Sequence, residues 1–376
     1  MKKRNKTFVA FCAAFIFLFG ILIFAREPQK FSESENRALA RRPDISLNSI
    51  MSGKFSEGLS GFCRDQFPLR SGLIKLVNAV ETVLGRCENN GIIMGKDGHL
   101  IARSEYNDFA LLEKNMSAFS DFAAFAGKSG KKVTFFAAPR STDVFASYLP
   151  DIYSNERANA VWDKFSALCG DYASITQELR GAAESGQYVW FGTDHHWTAQ
   201  GAYLAYSALA EKLDYEAAPQ NFFEAERFSD TFYGTSYSKA QPIFGKPDSV
   251  DFYRYPGDNN FTVTDKATGV TSRGFYDFSA ALKKDKYTVF LGGNSGHMSI
   301  SRNGEQREKL VVVKDSFANA VIPFLALHYD LEVYDLRYFT GSLKEETEIY
   351  PEGTRILFLF GIDTLATDPS LAKLAR

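Results

Sequence analysis

The chain has 376 residues with a net charge of -2, 45% hydrophobic and 23% charged. That is enough apolar material for one large catalytic domain or two modest ones, and it sets intrinsic disorder aside. The charge balance offers no basic face of the kind nucleic-acid binding uses.

Met1-Lys-Lys-Arg-Asn-Lys6 is a basic cluster, and residues 7–25 follow without a charge. A helix of that length covers about 28 Å, close to the roughly 30 Å hydrocarbon core of a bilayer. The cations before it place the N-terminus in the cytoplasm and the bulk of the chain outside. A cleaved signal peptide is the alternative, but Phe24-Ala25-Arg26 lacks a small-x-small site. Residues 1–26 are therefore expected to be a cytoplasmic tail and a single-pass anchor in the cell membrane.

Residues 27–90 read as a stalk with two lead-in helices. Residues 31–37 and 41–43 are polar and turn-forming. Residues 55–67 are amphipathic and end at Pro68; 73–84 form a second helix with Gly85 just past its end. Residues 91–376 are expected to be an α/β domain. It opens on a hairpin, two short apolar runs around Lys96-Asp-Gly98, on which His99 is a surface or half-buried residue. A helix at 111–130, a buried strand at 132–138 closed by Pro139-Arg-Ser-Thr142, and a helix at 158–169 then suit a parallel sheet covered by helices.

The aromatic run 188–191 reads as another buried strand. Thr198 suits the N-cap of a helix through about Leu213, with Ala202, Ala205, Leu209 and Leu213 on its inner face. Asp194-His-His-Trp197 falls in the loop between them. In an extended loop alternate side chains share a side, so Asp194 and His196 project together and His195 points the other way. From about 214 to 306 the chain is rich in Tyr, Phe, Thr, Gly and Asp, which predicts an antiparallel β-rich insertion. Within it, 287–291 resembles a strand before Gly292-Gly-Asn-Ser-Gly-His297. The core resumes with a strand at 309–313, then Lys314-Asp-Ser-Phe317 and an apolar helix through Leu327. Strands at 332–336 and 355–360 follow, the last ending in Gly361-Ile-Asp363. Outside the cytosol Cys63 and Cys87 have the option of pairing, which leaves an odd thiol.

Ser316 stands where a buried strand turns into a helix, a place where backbone N–H groups and the helix dipole favour negative charge. A hydroxyl needs a base to become a nucleophile; His196 can remove its proton and Asp194 can orient the imidazolium. Alone, Ser316 reads as an N-cap and Asp194 and His196 as polar loop residues. Their joint occurrence at two junctions gives the catalytic reading. A metal site of Asp194, His195, His196 and His297 is disfavoured, because adjacent histidines in an extended loop point apart and no HExxH helix is present. No cofactor is implied.

Asp194-His-His-Trp197 followed by Lys314-Asp-Ser-Phe317 resembles the DHHW family of bacterial membrane-anchored proteins, which is similar to the SGNH-like alginate O-acetylation proteins. Phe31-Ser-x-x-Glu-Asn-Arg37, Phe67-Pro-x-Arg70 and Gly95-Lys-Asp-Gly98 resemble the family's N-terminal landmarks. The resemblance implies an SGNH-hydrolase-like parallel sheet. It also implies an Asp194–His196–Ser316 triad, and an O-acetyltransferase or O-acetylesterase working on a cell-surface or secreted polysaccharide beside an integral membrane O-acyltransferase. Two departures stand out. No Asn follows the strand 355–360 to hold an oxyanion, leaving Asn294 or the Ser316 and Phe317 amides. Asp315 would oppose an oxyanion unless Lys314 neutralises it. Arg337 and Tyr338 are further candidates for substrate contact. The alternative function is a non-catalytic SGNH-like scaffold or glycan-binding protein of a polysaccharide-modification complex.

Overall fold

The computed structural model describes every residue except 1, 36, 105, 107, 154, 155, 244 and 376. Met1 of the basic cluster and Asn36 of the 31–37 landmark lie outside the described residues. The chain divides into two compact units, residues 1–89 with 238–245, and residues 90–237 with 246–376.

The first unit opens with α1 (Lys2–Ala25), whose stretch Lys6–Ala25 is long and apolar enough to cross a membrane. The two lead-in helices are present as Lys54–Asp65 and Arg70–Val83. Gly85 follows the second with φ +90°, a conformation that glycine adopts without strain. The landmark residues of this unit clamp one another: Glu35 takes Arg37 Nε at 2.8 Å and also the Arg70 guanidinium. Arg37 in turn grips both oxygens of buried Asp65, at 2.7 and 2.9 Å. That bidentate pair holds the Asp65 carboxyl below its usual range, against the opposing effect of burial. Cys63 and Cys87 are free thiols, as are Cys12 and Cys169, so the optional disulfide is not formed.

The second unit begins with the expected hairpin, Ile92–Met94 paired antiparallel with Leu100–Ala102. Asp97 and Gly98 turn the chain at φ +57° and +84°. His99 is half-buried, stacked on Phe145 with centroids 4.2 Å apart. After α2 (Ala110–Lys128) come β1 (Lys132–Ala138), α3 (Glu156–Cys169), α4 (Thr176–Glu184) and α5 (Ala199–Leu213). Then follow β2 (Glu224–Phe232), β3 (Asp248–Arg254), β4 (Phe261–Asp265), β5 (Thr271–Arg273), β6 (His297–Arg302), β7 (Lys309–Lys314), β8 (Asp330–Tyr334) and β9 (Arg355–Gly361).

The large sheet has seven strands in the order β5-β4-β6-β8-β7-β9-β1. β8, β7, β9 and β1 run parallel, while β6, β4 and β5 add antiparallel pairings. The expected parallel sheet is thus a mixed one. Much of the segment read as a β-rich insertion is not set apart from the core: β4, β5 and β6 extend the sheet, while among the described residues the β2–β3 ribbon stands outside it. Alternation along the parallel strands explains their continuous apolar runs. Phe136, Leu310, Val312, Leu357 and Leu359 pack on the face that includes α5, whose Ala202, Ala205, Leu209 and Leu213 are buried as expected. Phe135, Val311, Val313, Ile356 and Phe358 pack on the other, against α2 and α3.

Two predicted strands are absent. Residues 188–191 make only a single bridge, Trp190 to Trp197. Lys286–Val289 is a 3₁₀ turn, because Asp285 caps the Tyr287 amide and Leu291 takes φ +62°. The apolar helix after β7 is broken into a 3₁₀ turn, Ser316–Ala320, and a short helix, Ile322–Leu325.

Candidate active site

The loop 188–198 closes on itself. Phe191 N–H donates to the His196 carbonyl at 3.2 Å and Thr198 N–H to the Val189 carbonyl at 3.0 Å. Its aromatic run is buried because Trp190, Phe191 and Trp197 plug the core from a loop rather than a strand. Asp248, at the start of β3, braces it, accepting from Gly192 N (2.9 Å), Thr193 N (2.7 Å), Thr193 Oγ1 (2.5 Å) and Tyr188 OH (2.8 Å). Thr198 caps α5 by accepting from Gly201 N.

Within that loop Asp194 and His196 come together with Ser316. His196 Nδ1 lies 2.6 Å from Asp194 Oδ1, and Nε2 lies 2.8 Å from Ser316 Oγ. Asp194 accepts at its other oxygen from the amide (2.7 Å) and hydroxyl (2.9 Å) of Thr235. Burial alone would raise this carboxyl. The imidazoles of His195 and His196 and the bonds from His196 and Thr235 outweigh it and hold Asp194 well below the usual carboxylate range.

His195 does not point to the opposite side, because residues 192–196 are bent rather than extended. Its ring lies beside His196, centroids 3.8 Å apart, with Nδ1 at 2.6 Å from Thr235 Oγ1. The single Thr235 hydroxyl proton goes to Asp194, so His195 Nδ1 is the donor in that contact. Asp194, His195 and His196 stand close enough to share an ion, but their facing atoms are occupied by one another, by Thr235 and by Ser316. His297 belongs elsewhere, bonded to Glu332 at 3.0 Å.

Ser316 does not cap its turn; Asp315 does. The Asp315 carboxylate accepts from Phe317 N at 3.0 Å and from Gly361 N at 2.8 Å. Two backbone amides therefore meet its charge directly, in addition to the attraction of the nearby Lys314 and Arg337 cations, and the Phe317 amide is committed. The Phe317 ring packs on His196 and Trp197, and its carbonyl accepts from Trp197 Nε1 at 3.0 Å. That bond ties the two motifs together across 120 residues. Lys314 lies buried beneath, bonded to Asn294 Oδ1 and Asn319 Oδ1, both at 2.7 Å. Burial pushes its ammonium down to about 8, with Asp335 opposing the shift and Arg337 adding to it. Arg337 is held by Asp335 through Nε (2.8 Å) and Nη2 (2.6 Å), and Tyr338 is exposed beside it. Neither contacts the triad in a bond that the structure shows.

Sequence reasoning missed three residues that hold the triad. Tyr287 stacks on His196 with centroids 4.0 Å apart and planes at 6°, and its hydroxyl donates to the Ser316 carbonyl at 3.1 Å. Burial, reinforced by Asp194 and Asp315, raises that phenol well above its ordinary value, so it stays a donor. Thr235 has been described. Gly234 lies so close that a Cβ there would sit 2.3 Å from the Asp194 Cβ. None of the three sits in a recognisable motif.

Residues 150–335 match the family model described as "DHHW protein". Among curated proteins the chain is similar to "Probable alginate O-acetylase AlgJ" of Pseudomonas syringae pv. tomato. The two are 24% identical over 269 residues, which is 63% of this chain and 68% of that protein. The protein of the same name from Pseudomonas putida is 21% identical over 52% of this chain and 54% of its own length. Among solved structures, a DHHW family protein from Eubacterium siraeum matches 76% of this chain and 95% of its own, with 21% identity and a TM-score of 0.62. Bacillus cereus PatB1 with a sulfonyl adduct matches 76% and 98%, at 20% identity and the same TM-score. These two structural likenesses speak to fold. The stretch that matches the DHHW model, residues 150–335, carries Asp194, His196 and Ser316.

Proposed function

We propose that the chain is an extracytoplasmic Ser–His–Asp acyl-transfer enzyme, an O-acetyltransferase acting on a cell-surface or secreted polysaccharide. The observation that carries this reading is the continuous line from Asp194 through His196 to Ser316, at 2.6 and 2.8 Å. The names of the AlgJ relatives support the transfer of acetyl to a polysaccharide.

In this mechanism Ser316 Oγ attacks the carbonyl carbon of an acyl donor while its proton passes to His196 Nε2. Asp194, kept ionised, stabilises the imidazolium. The tetrahedral adduct collapses by expelling the donor's leaving group, which takes the proton back from His196. A sugar hydroxyl then attacks the acyl-serine, losing its proton to His196, and Ser316 recovers it as the sugar ester departs. Water in place of the sugar gives an esterase. The Ser316 amide and the Asn294 side chain are the proposed oxyanion donors, since Phe317 N–H is bound to Asp315. A candidate span at Lys6–Ala25 after a basic N-terminus supports a site outside the cytoplasm, beside an integral membrane protein that delivers the acyl group.

The test is hydrolysis of nitrophenyl acetate by the full chain in detergent, a substrate that needs neither glycan nor membrane partner. Ser316→Ala and His196→Ala should each lower the rate by about 100-fold or more, to a similar residual level. A Ser316→Ala protein as fast as its parent would overturn the acyl-enzyme mechanism.

A further inference from the structure

Lys314, the last residue of β7, is only 1% exposed, although it stands two residues from the nucleophile. A buried lysine is ordinarily held by a carboxylate. Here the nearest carboxylate, Asp335, lies 3.6 Å away and is already gripped by Nε and Nη2 of Arg337. The closest partners of Nζ are two amide oxygens, those of Asn294 and Asn319, each at 2.7 Å. Asn319 Nδ2 also donates to the Asn294 oxygen, at 3.1 Å.

This arrangement removes the ambiguity of the Asn294 amide. Its oxygen receives two donors, one of them an ammonium. A flipped amide would set its NH₂ against Lys314 and Asn319, donor facing donor. The Asn294 oxygen therefore points inward and its NH₂ outward. Lys314 precedes Ser316 by two residues, and Asn319 lies three residues beyond it in the same 3₁₀ turn. Asn294, exposed while both of its holders are buried, is thus tied to residues on either side of Ser316.

We infer that Lys314 is a positioning residue for acyl transfer, holding the Asn294 oxygen so that the Asn294 NH₂ is aimed at the oxygen that becomes negative on the acyl group. The inference rests on the Ser316 acyl-enzyme reading. Pre-aimed donors of this kind act mainly on the transition state, so their loss should appear in kcat rather than KM.

The deciding variant is Asn294→Asp, assayed as the full chain on nitrophenyl acetate. A carboxylate accepts from Lys314 and Asn319 at least as well as the amide, so the fold is kept, but it has no N–H to offer. The expected result is an unchanged Tm, a KM within about twofold, and kcat lowered about 100-fold. Lys314→Met should give the same kcat loss, and the double variant should be no slower than either single one. A purely structural lysine would give losses that add, or a lowered Tm with normal turnover in the folded fraction. If Lys314→Met fails to fold, Asn294→Asp still decides. Parental kcat in Asn294→Asp, alongside an inactive Ser316→Ala, would overturn this inference and leave the acyl-enzyme reading intact. Parental kcat in Ser316→Ala would remove both.

Discussion

Asp194, His196 and Ser316 are each held by a neighbour outside their own line of contacts. Asp194 is walled by Gly234 and bonded by Thr235; His196 is stacked on Tyr287; the Ser316 carbonyl is bound by the same tyrosine. Gly234→Ala places a methyl 2.3 Å from the Asp194 Cβ, so one of them must move. Displacing the carboxylate by about 1 Å should cost about 100-fold in ester hydrolysis, read from kcat/KM. Tyr287→Phe keeps the ring under His196 and loses the hydroxyl's bonds to the Ser316 carbonyl and the Ala320 backbone, a destabilisation of about 1–2 kcal/mol by denaturant titration. Asp194 also makes a pH prediction. Its folded carboxyl titrates below the unfolded one, so the unfolded chain binds more protons in that window. Its contribution to stability is present above about pH 4 and is lost as pH falls further toward the folded value. Asp194→Asn should therefore flatten the stability-versus-pH curve below about pH 4 and leave its shape near neutrality; an unchanged acid limb would contradict the assigned pairing.

At the scale of elements, the loop 188–198 depends on the β2–β3 ribbon as much as on the sheet. Asp248 gathers two amides and two hydroxyls from residues 188–193. Asp248→Ala leaves those donors without their acceptor and should destabilise the protein by about 3 kcal/mol, with loss of ester hydrolysis in the same melt. This dependence also explains what the sequence showed and what it hid. The spacing Asp194-x-His196 and the position of Ser316 after an apolar strand were legible, because they follow from local chemistry. So were the hairpin, α5 with its cap, and the parallel strands. The run 188–191 was misread because burial of aromatics looks the same in a strand and in a loop anchored by a distant carboxylate. His195 was misplaced because alternation holds only where the backbone is extended. Thr235 and Tyr287 reach the triad from segments whose own sequences carry no sign of it, and the Phe317 amide was lost to an Asp315 cap that a motif does not reveal.

For the molecule as a whole, the expected behaviour is that of an anchored protein. Membrane fractionation followed by N-terminal sequencing should find the intact N-terminus in the membrane pellet. A released product beginning after Ala25 would show that α1 is a leader rather than an anchor. Ser316 and the residues beneath it gather at the carboxyl ends of the parallel strands, where β7 ends in Lys314, β8 leads to Asp335 and β9 ends in Gly361. That is where open α/β sheets place their sites.

The position of β1 at one edge of the sheet has a consequence for biogenesis. Its neighbouring strand is β9, paired from Lys132 with Arg355 to Ala138 with Gly361. A growing polypeptide therefore exposes the Phe135-Phe136 strand for more than two hundred residues of synthesis before its partner emerges. Ser316, on the turn after β7, likewise waits for Gly361 to complete the Asp315 clamp. On the proposed acyl-transfer reading, the site is therefore incomplete until Gly361 has been made. Its half-made form carries a long unpaired hydrophobic edge that invites aggregation or a chaperone's grip. Chains stalled before residue 355 should remain protease-sensitive and unreactive toward a fluorophosphonate, whereas the completed chain should become resistant and reactive in one step.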